Sequence, residues 1–238
     1  MLRASVTIWH ALQTRPNFGA DHDDGDTVPE REIELSDLAK TLVVRGDKGR
    51  LVVALAGAPG AGKSTLAEKL VDLIAEDAPG LAAILPMDGY HFDNMLLDKL
   101  GRRARKGAPD TFDVAGFRHM LQRLRSDEED AVAVPVFDRD IEIARAGARL
   151  IPRQARIIVA EGNYLLLGDA PWSDLSPLFD VTIRINVSEE TLRERLEARW
   201  RGYGMSPADI RGKLEENDLP NGRLVLARSR PADFVVKS

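Results

Sequence analysis

Three short stretches of this 238-residue chain carry residue types suited to handling a phosphoryl group. The first is Gly57-Ala58-Pro59-Gly60-Ala61-Gly62-Lys63-Ser64, followed by Thr65, with the spacing G-x-x-x-x-G-K-S of a Walker A loop. Its glycines let successive backbone N–H groups curl around a phosphate. The lysine can reach β- and γ-phosphates, and the serine hydroxyl can ligate Mg²⁺. The second stretch is Met87-Asp88-Gly89-Tyr90-His91-Phe92, which sets a carboxylate before a glycine. The third is Ile157-Ile158-Val159-Ala160-Glu161-Gly162, an apolar run closed by an acid, the Walker B pattern. A nucleoside triphosphate with Mg²⁺ is the ligand these stretches predict. ATP is the expected nucleotide, and GTP stays open because no base-reading motif is recognisable.

Those residues need elements to hold them. Leu51-Val52-Val53-Ala54-Leu55-Ala56 reads as a buried strand running into the glycine loop, and Thr65 to Ile74 has apolar residues at helical spacing. Strand, loop and helix in that order are the context a P-loop requires. A helix N-terminus there adds favourable partial charge for a phosphate. Leu81 to Pro86 reads as a second strand ending at Asp88, and Arg156 to Ala160 as a third ending at Glu161. Ligands in open parallel sheets bind beyond the carboxyl ends of strands. Asp88, Glu161 and the P-loop are therefore expected on one rim. Asp88 is the candidate general base, and Ser64 and Glu161 are the candidate metal ligands. Glu161 could order Mg²⁺ through water, contact the substrate or share the duty of base.

Further along, Phe179 to Val187 reads as another strand, and Ser188 as the cap of a helix through Thr191, Leu192, Leu196 and Trp200. That helix carries Arg193, Arg195 and Arg199. Gly202-Tyr203-Gly204 breaks it, and Ser206-Pro207 begins another. The break predicts a mobile lid over about residues 199–216. Glu194 and Glu197 would make the arginine face an ordinary solvated one; phosphate recognition by guanidinium forks favours a functional face. Asn217 to Arg228 reads as helix and Ala232 to Val236 as a last strand. The fold class is α/β, a P-loop NTPase fold whose central parallel β-sheet is flanked by helices, with a helical lid.

The remaining chain adds less. Residues 1–29, with Asp21-His22-Asp23-Asp24-Gly25-Asp26, predict a flexible N-terminal extension, and the later glutamate of a calcium loop is missing. The folded P-loop domain is expected over residues 30–238. Ile33 to Val43 suggests an amphipathic helix, and Gly46-Asp47-Lys48-Gly49 a turn. Residues 93–112 read as irregular; their cations Arg102, Arg103, Arg105 and Lys106 fit a solvated loop or a flap over an anionic substrate. Asp113 looks like an N-cap, Asp127-Glu128-Glu129-Asp130 like an exposed turn, and Ala131 to Phe137 like a strand that Pro135 moves to an edge. Ile141 to Ile151, with Gly147, fits a small hairpin beside the main sheet. Net charge is −5, so no global basic field favours nucleic acid. No cysteine is present, which removes disulfides and thiolate sites and is compatible with the cytoplasm. No run reaches the roughly 18 apolar residues of a membrane span, and no apolar core with a cleavage site marks a secretory signal.

Together these motifs resemble the P-loop small-molecule kinases that include uridine kinase, phosphoribulokinase and bacterial-type pantothenate kinase, from about residue 31 to the C-terminus. The pattern is most similar to the pantothenate-kinase-like subgroup labelled fructose transport system kinases. Pro109-Asp110-Thr111-Phe112-Asp113, Val134-Pro135-Val136-Phe137-Asp138-Arg139 and Pro171-Trp172 through Leu178-Phe179-Asp180 add to that likeness. The resemblance implies transfer of the ATP γ-phosphoryl group to a hydroxyl of a small metabolite: a sugar, a nucleoside or a pantothenate-like alcohol. It implies Asp88 as base, Glu161 as Walker B acid, and Arg195 and Arg199 on the phosphates. It also implies an acceptor pocket lined by Tyr90, His91, Phe92, Asp138 and Arg139. Tyr90 and Phe92 could equally be core. Arg139 is the candidate for a polar or anionic group of the acceptor. The chain departs from uridine kinase in its Asp-Gly-Tyr-His and in lacking a dense Arg-Asp repeat in the lid. Competing readings are a P-loop ATPase acting as a conformational switch and a nucleotide-binding regulatory module. The expected partner is a small hydroxylated substrate, with no nucleic acid or membrane, and the chain is expected as a monomer or homodimer.

Overall fold

The computed structural model describes residues 30–46 and 49–237; the expected N-terminal extension and the turn residues Asp47 and Lys48 lie outside them. In chain order the strands are β1 (Arg31–Glu32), β2 (Leu51–Ala56), β3 (Ala82–Pro86), β4 (Ala131–Asp138), β5 (Ile143–Pro152), β6 (Ile157–Gly162), β7 (Val181–Asn186) and β8 (Phe234–Lys237). The helices are α1 (Leu35–Gly46), α2 (Lys63–Asp77), α3 (Asn94–Lys99), α4 (Val114–Ser126), α5 (Glu189–Gly202), α6 (Pro207–Lys213) and α7 (Leu219–Arg228). A π-helical turn, Leu214–Asp218, joins α6 to α7.

Six strands form one parallel sheet in the order β1-β8-β7-β2-β6-β3. β2 and β6, both interior strands, are buried along their whole length, which is why both are largely apolar runs without alternation. Leu38 and Leu42 of α1 and Ala67, Leu70 and Ile74 of α2 pack with Val53, Leu55 and Val159 in one core cluster. Phe117, Leu121 and Leu124 of α4 pack with Val52, Ala54, Ile158 and Ala160 in another. A third, small cluster of Leu196, Ile210, Leu214 and Leu219 joins α5, α6 and the π turn, an arm beside the cleft, to the start of α7.

The parallel topology was readable in the sequence, and several details differ from it. β1 was not anticipated; two residues are too short for any periodicity to show. The segment over residues 93–112 is not wholly irregular, because Asp93 caps α3 by accepting from Met95 N at 2.8 Å. Asp127 is not part of a simple exposed turn. It adopts a left-handed backbone (φ 55°), and its carboxylate lies 3.2 Å from Arg50 and also pairs with Arg156. As expected of Pro135, β4 is an edge strand: it pairs only with β5 in an antiparallel two-stranded sheet beside the main one, and Pro135 sits at the irregularity between Val134 and Val136. The helix expected from Asn217 begins earlier, with the π turn at Leu214.

Two close approaches fix the hairpin and the strand ends to each other. A Cβ on Gly89 would stand 2.5 Å from the Pro135 carbonyl oxygen, and one on Gly162 would stand 2.5 Å from Met87 Cβ and Sδ. Backbone cannot yield as a flexible side chain can, so Gly89→Ala has to push β4 away from the turn that bears Asp88. The expected loss is about 1–3 kcal/mol, read as a lower melting temperature. Gly212→Ala on α6, where nothing lies within 4 Å of an added Cβ, should leave the melting temperature unchanged or higher, since alanine favours helix by about 1 kcal/mol. Equal effects at the two sites would contradict this packing.

Candidate active site

The P-loop follows from the glycines. Gly60 and Gly62 adopt φ of 83° and 84°, a region open chiefly to glycine, and they turn the chain from β2 into α2. Gly60 also lies against α5: an added Cβ would meet Leu196 Cγ at 3.0 Å. Lys63 folds back over the loop and donates from Nζ to the Ala58 carbonyl at 3.0 Å. Burial pushes its ammonium down to about 8, against the pull of Glu161 and Asp88 and with the push of Arg199 and Arg139. An anion placed there would relieve that charge.

Parallel register brings the acids to the loop. Leu55 pairs with Glu161 and Ala56 with Gly162 across β2 and β6, while Pro86 pairs with Glu161 across β3 and β6. Glu161 is buried and accepts from Ser64 Oγ at 3.2 Å. Burial, and then the neighbouring charge of Asp88, raise its carboxyl above the ordinary value, more than Lys63 and Ser64 lower it. Asp88 stands in a 3₁₀ turn, Met87–Tyr90, directly after β3. Burial opposes its charge too, but His91, Arg139, Lys63 and Arg199 outweigh burial and hold it below the ordinary carboxylate value. Arg139 Nη2 donates to Asp88 Oδ2 at 2.7 Å.

A cleft open to solvent joins these groups. Pro59, Gly60, Gly62, Lys63, Ser64, Thr65, Asp88, His91, Arg139, Glu161 and Arg199 line it. Gly57, Ala58 and Ala61 shape the loop from behind. Arg199 reaches the cleft from α5; burial lowers its guanidinium, with Arg139 adding to that and Asp218 and Asp88 opposing. Among the described residues Arg199 makes no hydrogen bond or ion pair. Arg195 turns instead to the back of the P-loop, donating to the Ala61 carbonyl at 3.4 Å, and does not line the cleft.

Not every predicted pocket residue faces the cleft. Tyr90 is buried in the core, edge-on to Phe117 with ring centroids 5.0 Å apart, because it sits on the inner side of the 3₁₀ turn. Phe92 pairs its backbone N–H with Thr111 O and lies outside the cleft lining. Asp138 holds the hairpin, taking Arg145 at 3.0 Å. His91 does face the cleft. Its Nδ1 lies 2.8 Å from Asp88 O, and Phe112 and Phe137 flank its ring at 4.1 and 4.7 Å. Of the cation cluster, Lys106 alone lines the cleft, tied to Asn94 Oδ1 and Glu142 O. Arg102 pairs with Asp110, and Arg105 reaches the Glu216 carbonyl.

Sequence reading missed Asn163, Lys213, Asp218 and Asn221, which also line the cleft. Asp218 and Asn221 come from the π turn and α7, and both are buried. Asp218 accepts from Trp200 Nε1 at 2.7 Å, and Asn221 donates to Asn217, which in turn donates to Lys106 O at 3.0 Å. No local pattern marked them, because the π turn and α7 reach the cleft only by the way the helical arm docks.

The donor set suits Mg²⁺: a hydroxyl and a buried carboxylate, hard oxygen ligands beside a second acid, where a cation would relieve like charge. No group of three or more His, Cys, Asp or Glu able to hold a metal occurs among the described residues, so phosphate oxygens and waters would complete the coordination. No helix among them is long and apolar enough to cross a membrane.

Binding to this cleft has a direct readout. At an ATP concentration about 100-fold above Kd, occupancy should add about 2.7 kcal/mol to wild-type stability and raise its melting temperature. Lys63→Ala should lose that rise. A ligand-induced rise of wild-type size in Lys63→Ala would remove the cleft as the nucleotide site.

Known proteins share this architecture, although no family model matches the chain. YggC of Escherichia coli, an uncharacterized protein, is 37% identical over 79% of this chain and 78% of its own length. C227.14 of Schizosaccharomyces pombe, named for a uridine kinase activity, is 30% identical over 79% of this chain and 83% of its own. The crystal structure of a Silicibacter sp. TM1040 protein, named for a fructose transport system kinase, superposes with a TM-score of 0.79 at 40% identity, covering 85% of this chain and 98% of that one. By identity, coverage and superposition the chain belongs to this family of ATP-dependent P-loop kinases of small metabolites.

Proposed function

We propose that the protein transfers the γ-phosphoryl group of Mg-ATP to an alcohol hydroxyl of a small metabolite. One observation carries this reading. The P-loop, Asp88 and Glu161 meet at adjacent strand ends in a single cleft, and Arg199, without a hydrogen-bond partner among the described residues, faces them from the helical arm. Phosphoryl transfer through a loose transition state asks for positioning and charge neutralisation rather than covalent help. The P-loop amides and Lys63 would hold the triphosphate. Bound Mg²⁺, held by Ser64 and Glu161, would neutralise phosphate charge. Arg199 would close over the transferring group, and a guanidinium so placed contributes about 10³-fold or more in related chemistry.

Asp88 would take the acceptor's hydroxyl as a hydrogen-bond donor and receive its proton as the new P–O bond forms. Its carboxyl is held ionised by the surrounding cations, so it is in the accepting form at neutral pH. The arm of α5, α6 and the π turn has its own small core and flanks the cleft, which supports a lid that excludes water during transfer. The acceptor would meet His91, Arg139 and Asn163 on the hairpin side.

Asp88→Asn is isosteric and keeps the turn. It should retain ATP affinity while acceptor-dependent kcat falls by about 10²- to 10⁴-fold, the span of general-base contributions. ADP release with a panel of sugars, nucleosides and pantothenate, beside an ATP titration, measures both. Near-normal kcat in the variant would remove Asp88 from this role. Chelation of divalent cations should abolish turnover in the wild type; turnover that survives chelation would remove Mg²⁺.

A further inference from the structure

The contact between Arg139 and Asp88 is unusual for a base awaiting a substrate. One oxygen of the carboxylate is already engaged, at 2.7 Å, by a guanidinium from the β4–β5 turn. Arg139 is the more exposed partner, at 46% against 23% for Asp88. Both line the cleft. The turn does not depend on this contact. Asp138 accepts from Asp140 N at 3.1 Å and from Arg145 at 3.0 Å, and the Glu142 carbonyl accepts from Lys106 Nζ at 2.7 Å. Arg139 can therefore swing away from Asp88 while the hairpin stays in place. A half-exposed ion pair belongs to the weak ones, so an acceptor that brings its own hydroxyl can displace it.

A kinase of this design faces a competing reaction. Water is small, abundant and chemically like the acceptor's hydroxyl, and the cleft is open to it. In that reaction the water oxygen bonds to the γ-phosphorus and the bond to the β,γ-bridging oxygen breaks. ADP departs, and a water proton passes to Asp88 and on to solvent. Discrimination must come from a group that responds to the acceptor and not to water.

We propose that Arg139 is that group, a specificity-determining residue that occupies Asp88 until an acceptor displaces it and so suppresses acceptor-free hydrolysis of ATP. The inference rests on Asp88 being the group that orients the attacking hydroxyl.

The test needs no knowledge of the acceptor. ADP and phosphate release from Mg-ATP alone is followed for wild type, Arg139→Ala, Arg139→Lys, Asp88→Asn and the Arg139→Ala/Asp88→Asn double variant, with ATP affinity titrated separately for each. Arg139→Ala should raise acceptor-free release about fivefold, the scale on which a half-exposed ion pair restrains its partner. Arg139→Lys, which keeps a cation beside Asp88, should rise less than Arg139→Ala, and the double variant should fall back to the level of Asp88→Asn. A rate in Arg139→Ala equal to or below wild type, with ATP affinity intact, overturns the proposal. A rise that persists in the double variant overturns the assignment of Asp88 and the proposal with it. Failure of wild type to bind ATP would instead overturn the nucleotide reading. Arg139→Gln carries the same test if Arg139→Ala does not fold.

Discussion

The parallel register of β2, β6 and β3 is the constraint from which the site follows. Pairing of Leu55 with Glu161, and of Pro86 with Glu161, sets three consecutive strand ends level. One end opens into the glycine loop, one into Asn163 after Glu161, and one into the turn that bears Asp88. A slip of one residue in either pairing would reverse the faces of a strand and move an acid from the cleft toward the core. The register is held by apolar side chains buried on both sheet faces, and at the rim by glycines. Gly162 admits Met87, and Gly89 admits the backbone of β4. The core thus sets the spacing of the chemistry.

Burial and charge oppose one another throughout the site. Burial works against Lys63, Glu161 and Asp88 alike; neighbours offset it only in part at Lys63 and Glu161 and outweigh it at Asp88. Arg199 is desolvated with no hydrogen-bonding partner among the described residues. Such groups are costly in an ordinary core. A triphosphate with a divalent cation would supply compensating charges of both signs. Buried polar residues of the π turn, Asn217 and Asp218, extend this network from the helical arm to the loop holding Lys106.

Much of this could be read before any coordinates. The P-loop, the strand ends at Asp88 and Glu161 and the caps at Asp113, Ser188 and Ser206 are local patterns, and local physics produces them. What could not be read is the outcome of direction and distance. Tyr90 and His91 are adjacent, yet one turns into the core and the other into the cleft, because the 3₁₀ turn points them apart. Arg195 and Arg199 share a helix four residues apart, but only Arg199 lines the cleft. Lys106 joins the site through Glu142, 36 residues on, and is bonded at its carbonyl by Asn217, 111 residues on. Contacts over such separations depend on how whole elements dock, and no sequence window contains them.

The fate of the γ-phosphoryl group tests the central claim most directly. Wild-type protein would be incubated with ATP labelled at the γ-phosphorus, Mg²⁺ and pooled small hydroxylated metabolites, and the label traced by chromatography and mass spectrometry. Transfer to a phosphate ester of one metabolite, with inorganic phosphate a minor product, is the result expected of three strand ends built around an acceptor hydroxyl. Label found only in inorganic phosphate, at a high rate that no metabolite alters, would contradict it and make the cleft that of a switch ATPase.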